Sequence, residues 1–308
     1  MSPFKRPLHV LMILIVLSLA VLPFVAHAQT SPTQIIVNYP ELIDMDDALQ
    51  LGVYFTLADN SGRVVTDAKI KAVSFQLDDG TTHDAEFEQP TTPFFIVLVL
   101  DASGSMGGAA EDMRQAAIQA VNDAPEEARF AVIRFNDSIS VLQEFTEDRN
   151  RAINAIGEVQ PVNLAGTCLY DASYEAVRLI KDAPQGRRAV ILFTDGKDET
   201  AAGETCSRHT AQEVKDFANS VDSRVPIHTI GMSTREQNIN ADDLRDLASS
   251  TGGLSAIGDQ STLQDLFQQI MDALKSQWFA KALIHPLRGP HSAVMTVVLD
   301  DQASTRLT

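Results

Sequence analysis

The sequence predicts a doubly wound α/β domain, a mostly parallel sheet flanked by helices, carried between β-rich flanks that join into a sandwich. Unbroken apolar runs at 94–100 and 189–193, and nearly unbroken ones at 130–135 and 225–230, are strands buried on both faces, as in a parallel sheet covered by helices. Apolar residues at helical spacing fill the intervals, at 110–121, 149–156, 169–180, 211–221, 242–248 and 263–274. Strand and helix therefore alternate through 91–279. On either side the pattern changes to short alternating runs broken by turn residues.

Taken in order, the chain opens with Lys5 and Arg6, an apolar run over 8–25, and Ala26-His27-Ala28. This is the charged, apolar and small-residue pattern of a secretory signal peptide over 1–28, cleaved after Ala28. The mature chain is expected to start near Gln29 in an extracytoplasmic, oxidising place, at the cell envelope or secreted. Residues 29–90 carry runs at 51–57, 64–65 and 72–77, separated by Asp59-Asn60-Ser61-Gly62 and Asp78-Asp79-Gly80. These are hairpin signals. So short a stretch of hairpin is marginal alone and needs strands from elsewhere. The prolines and threonines of 89–93 read as a linker. Residues 280–308 complete the sandwich with a strand reaching 284, a turn at 286–290 and a strand at 293–299. The sequence stops soon after that strand, at Thr308, so a further region downstream is expected. Membrane association is expected only through such a region or an uncleaved signal.

Composition excludes several functions. Forty-one Asp and Glu against 24 Lys and Arg give a formal charge of −17, which repels nucleic acid and anionic lipid. The apolar fraction of 44% is that of a globular protein.

Ligands of open parallel sheets bind beyond the carboxyl ends of the strands. Three segments deliver oxygen donors there: Asp101-Ala102-Ser103-Gly104-Ser105, Gly166-Thr167 and Thr194-Asp195-Gly196. Asp101, Ser103, Ser105, Thr167 and Asp195 supply two carboxylates and three hydroxyls. This hard, low-charge set suits Mg²⁺, with Mn²⁺ and Ca²⁺ as alternatives, rather than zinc or copper. In residues and order the set resembles the metal-ion-dependent adhesion site of von Willebrand factor type A domains, and the resemblance covers roughly 93–277. It implies a Rossmann-like fold, direct metal contact by Ser103, Ser105 and Thr167, and a role for Asp101 and Asp195 through water and hydrogen bonds. It further implies a protein partner that offers a carboxylate to the metal, and no catalysed reaction.

Other readings were weighed. A scaffold role in an envelope complex, with a metal that only rigidifies the rim, is the alternative function. Ser103-Gly104-Ser105-Met106-Gly107 approximates a nucleophile elbow, but Ser103 stands where that motif has glycine, and His228 lies inside a strand while His209 opens a helix. Cys168 and Cys206 fall on loops at the metal-bearing rim and are expected to form a disulfide, two free thiols being the alternative. Asp198, Glu199 and Glu204 form either a second cation site or a solvated acidic loop. His83, His209, His285 and His291 show no ligand spacing. Trp278 and Phe279, with Leu263, Leu266, Phe267, Ile270 and Leu274, read as the packing face of the last helix.

Overall fold

β5 (Phe94–Asp101) is an eight-residue strand with every residue buried, and the larger half of the protein is organised around it. The computed structural model describes residues 32–60, 62–184, 186–220, 224–232, 240–259, 262–286, 291–300 and 306–307. The expected signal segment 1–28 and most of the turn expected at 286–290 lie outside them. β5 pairs in parallel with β6 (Ala128–Phe135) on one side and β8 (Arg187–Thr194) on the other. β9 (Ile227–Met232) and the short β10 (Ser255–Gly258) extend the sheet in parallel beyond β8, and β7 (Ile139–Thr146) closes the far edge antiparallel to β6.

The β5 side chains alternate between two cores, which is why its sequence is apolar without interruption. Phe94, Ile96, Leu98 and Leu100 pack with α1 (Ala110–Asp123), α2 (Arg149–Gly157) and α6 (Leu263–Lys275) through Met113, Ala117, Ile156, Phe267, Ile270 and Leu274. Val97 and Val99 pack with α3 (Leu169–Lys181), α4 (Ala211–Ala218) and α5 (Ala241–Thr251) through Ala172, Val177, Val214, Leu244 and Leu247. The doubly wound architecture is therefore as expected. α4 starts at a capping box, Thr210 with Glu213. It ends at Ala218, short of the expected 221, whose final residue lies outside the described set.

The flanks also join as expected, in the form of one seven-stranded antiparallel sheet curled on itself. Its order is β1 (Gln34–Asp44), β2 (Leu49–Ala58), β11 (Trp278–Ile284), β4 (Thr82–Glu88), β3 (Ile70–Leu77), β12 (Ala293–Leu299) and β13 (Arg306–Leu307). β4 is the fold line: its first half pairs with β3 through Val73↔Ala85 and Gln76↔Thr82, and its second half with β11 through Phe279↔Glu88 and Lys281↔Glu86. The two halves share one apolar core, with Phe55, Leu57, Val73, Phe75, Ala280, Ile284 and Val297 at its centre.

Trp278 and Phe279 require a correction. They start β11 instead of facing the helix: Trp278 packs against the curled-sheet core and meets Phe87 edge to face at 6.2 Å, and Phe279 forms a small cluster of its own with Tyr54, ring centres 4.5 Å apart.

Candidate metal centre

Asp101 is the last residue of β5 and Thr194 the last of β8, its neighbour in the sheet. Their pairing puts two hydrogen-bonding side chains at one rim. Thr194 Oγ1 donates to Asp101 Oδ2 at 2.6 Å, and the Ser103 backbone N–H donates to Asp101 Oδ1 at 2.7 Å. Both oxygens of Asp101 are thus held by the protein. A turn of 3-10 helix at Gly104–Gly108 follows and brings Ser105 round. Ser105 Oγ donates to Asp195 Oδ1 at 2.8 Å and lies 3.1 Å from Ser103 Oγ.

Thr167 arrives from a different loop, fastened by its N–H to Glu199 C=O at 2.8 Å. A Cβ placed on Gly196 would come within 3.2 Å of Thr167 Oγ1, so the residue after Asp195 must be small for the hydroxyl to fit. The structure therefore brings Asp101, Ser103, Ser105 and Asp195 into one hydrogen-bonded group, with Thr167 beside it across Gly196. Asp101, Ser103, Thr167 and Asp195 are buried.

Burial makes this a costly place for two carboxylates. Burial, and after it the negative charge of Asp195, push Asp101 up to about 7. Burial also raises Asp195, against the bond it receives from Ser105. Asp195 Oδ2 is buried and has no hydrogen-bond partner among the described residues. A buried acceptor in that state is rare in folded proteins unless an ion or water completes it. The donor set fits a hard divalent cation: oxygen atoms only, two of them carboxylates that repel one another. Among the described residues there is no group of three or more His, Cys, Asp or Glu side chains suited to a metal.

Cys168 and Cys206 are joined in a disulfide, with Cα atoms 4.8 Å apart, and it ties the start of α3 to the loop after Asp195. Of the acidic residues on that loop, Asp198 is engaged through its side chain, and Glu199 and Glu204 through their backbone carbonyls. Asp198 accepts from the Ser207 N–H and hydroxyl, while Glu199 contributes its carbonyl to Thr167. His209 pairs with Asp171 at 2.7 Å and stacks on Tyr174, ring centres 3.9 Å apart. His228 is buried in β9, with Nδ1 accepting the Leu254 N–H.

Three supporting roles were missed in the sequence, although Thr194 itself stands in one of the three donor segments. Thr194 orients Asp101; Asp137 holds the Gly166 N–H at 2.6 Å; Asp171 binds the Arg208 and His209 N–H groups. Only Asp137 left a trace, in the Asn136-Asp137-Ser138 turn after β6, where the Ser138 N–H bonds Asn136 Oδ1.

Residues 96–197 match the family model of the von Willebrand factor type A domain. Among solved structures, proximal thread matrix protein 1 from the mussel byssus superposes with a TM-score of 0.53 at 19% identity, over 66% of this chain and 51% of that one. The chain thus spans about half the length of the mussel protein. A second structure of it, described as having a zinc-occupied MIDAS motif, gives 0.52 at 19% identity, over 65% of this chain and 50% of that one. The conserved hypothetical protein BatB from Bacteroides thetaiotaomicron aligns with a TM-score of 0.47 at 19% identity, over 59% of this chain and 99% of that one. No curated protein sequence matches the chain. The family match and the mussel structures identify the α/β unit as a von Willebrand factor type A fold.

Proposed function

We propose that this is an exported, non-enzymatic protein-binding module whose rim residues Asp101, Ser103, Ser105, Thr167 and Asp195 hold a divalent cation, Mg²⁺ in the first place. One observation carries the reading: Asp195 Oδ2 is buried without a partner among the described residues, beside two serine hydroxyls and a second buried carboxylate. The mussel protein of the same fold has been seen with zinc in its motif, which supports a divalent ion at this position in the fold. Both Asp101 oxygens already accept protein hydrogen bonds, so Asp101 acts by orienting Ser103 and by its charge. Ser103, Ser105 and Thr167 then present hydroxyls directly, which leaves the ion electron-poor. A cation so held supplies a Lewis-acidic position for a carboxylate from a protein partner. Ser105 Oγ donates to Asp195 Oδ1 and not to a histidine, in keeping with a binding role rather than with the serine–histidine pairing of a nucleophile elbow.

Export rests on the segment 1–28 and fits a disulfide at Cys168 and Cys206. The mature N-terminus should be Gln29 by intact mass. Calorimetry should show one Mg²⁺ or Mn²⁺ taken up per chain, lost in Asp195→Ala and weakened at least about tenfold in Asp101→Ala. Absence of uptake by the wild-type chain defeats the proposal. Capture of envelope proteins should disappear with EDTA; capture that survives chelation supports the scaffold role instead.

A further inference from the structure

Among the described residues of the α/β unit, three large apolar side chains stand exposed, Val141, Val162 and Leu164, and two of them share one turn. Leu164 is 87% exposed and Val162 46%. Ala165 N–H donates to Val162 C=O at 3.1 Å, closing the turn, and Leu164 occupies its third position at φ 62°. A positive φ there belongs to glycine or asparagine, because Cβ of other residues crowds the backbone. Asn163 is next door, yet leucine takes the strained position. The leucine gains no packing in return, since its side chain is in solvent. Strain kept at an exposed residue points to a use outside the fold.

The turn is fastened to the metal-bearing loop. Val162 N–H donates to Ala102 C=O at 2.9 Å, and Gly104 N–H donates to Ala165 C=O at 3.1 Å. A Cβ on Gly104 would meet the Leu164 backbone nitrogen at 3.0 Å. The residue between Ser103 and Ser105 therefore touches this turn, and Thr167 follows it with only Gly166 between.

We infer that Leu164, with Val162, forms a specificity element that receives an apolar side chain flanking the acidic residue a protein partner presents at the rim. This rests on the carboxylate-binding reading above. The occupant is a partner segment in which an Asp or Glu has a large apolar neighbour. Position favours this choice: the turn is bonded to Ala102 and Gly104, on either side of Ser103, so residues flanking a carboxylate held at the rim meet Leu164 and Val162. Such a contact discriminates by burial, at about tenfold per well-covered leucine side chain.

The test uses the full chain in Mg²⁺ and two labelled, end-blocked peptides, Gly-Leu-Asp-Leu-Gly and Gly-Ser-Asp-Ser-Gly, followed by fluorescence polarisation. The wild-type chain should bind the leucine peptide about tenfold tighter than the serine peptide. Leu164→Asn and Leu164→Gly both accept a positive φ. In each the ratio should fall to within about twofold, with Mg²⁺ uptake and serine-peptide affinity unchanged. Equal binding of the two peptides by the wild-type chain, or a preference that survives both substitutions, overturns the inference while carboxylate binding stands. Failure of both peptides to bind in Mg²⁺ removes carboxylate binding and the inference with it. If the substitutions instead abolish a self-association seen by sedimentation, the turn joins copies of the chain and the inference is wrong.

Discussion

In the six-stranded sheet, β5, β8 and β9 are buried at every residue, whereas in the curled sheet β4 alternates exposed and half-buried positions along its length. The two sheets treat aspartate in opposite ways as a result. At the rim of the first, Asp101 and Asp195 are driven toward their neutral forms by burial. At the β3–β4 hairpin of the second, Asp78 and Asp79 are held ionised by bonds from His291 and Thr81 in open water. A carboxylate at a wet turn needs only local donors. One sealed at the end of a doubly covered strand needs a positive charge, and that requirement is what the candidate site offers to an ion.

The contrast can be broken first in the cores. Phe193 is fully buried in β8 and stacks on Phe267 of α6, centroids 5.9 Å apart. Phe193→Ala should cost about 4 kcal/mol in denaturant unfolding. A loss under about 1 kcal/mol would mean that the parallel sheet tolerates voids.

His228 sharpens the contrast for a base rather than an acid. Burial lowers it to about 4, and Nδ1 accepts the Leu254 N–H, so the ring proton sits on Nε2, which is itself without a partner among the described residues. The unfolded chain takes up the proton first, near pH 6.5, so the contribution is fully present above that pH and is lost as pH falls toward 4. Relative to His228→Asn, whose amide oxygen can accept the same bond, the wild-type chain should lose about 3 kcal/mol of stability across that window. A flat difference would show the ring to be hydrated.

The smallest effect is expected on the outer face of the curled sheet. Val294 of β12 is more than half exposed, and Val294→Thr should move stability by less than about 0.5 kcal/mol. A larger loss would indicate a cover on that face.

What the sequence disclosed follows the same division. β5 and β8 were legible because burial on both faces writes an unbroken apolar run, and the donors were legible because Asp101, Ser103 and Ser105 are neighbours on one loop. β7 escaped notice: as an antiparallel edge strand it has no buried residue, its positions being half-buried or exposed, and it mixes Val141 and Phe145 with Gln143 and Glu144. β1 escaped because Pro40 lies inside it; an edge strand tolerates the proline, and a register shift between Val37 and Tyr39 lies close by. The bond from Thr194 to Asp101 depends on which strands are neighbours across the sheet, and one-dimensional spacing does not contain that order.

The fold line at β4 has a consequence for how the chain is assembled. Glu88 and Phe279 face each other as paired residues, although the whole α/β unit is threaded between them. In covalent terms the curled sheet holds an ordinary hairpin whose loop happens to be a complete second fold. A turn of about two residues joining the same two strands would close the pair equally well. The curled sheet is thus a socket, and the α/β unit a graft whose two attachment points lie side by side.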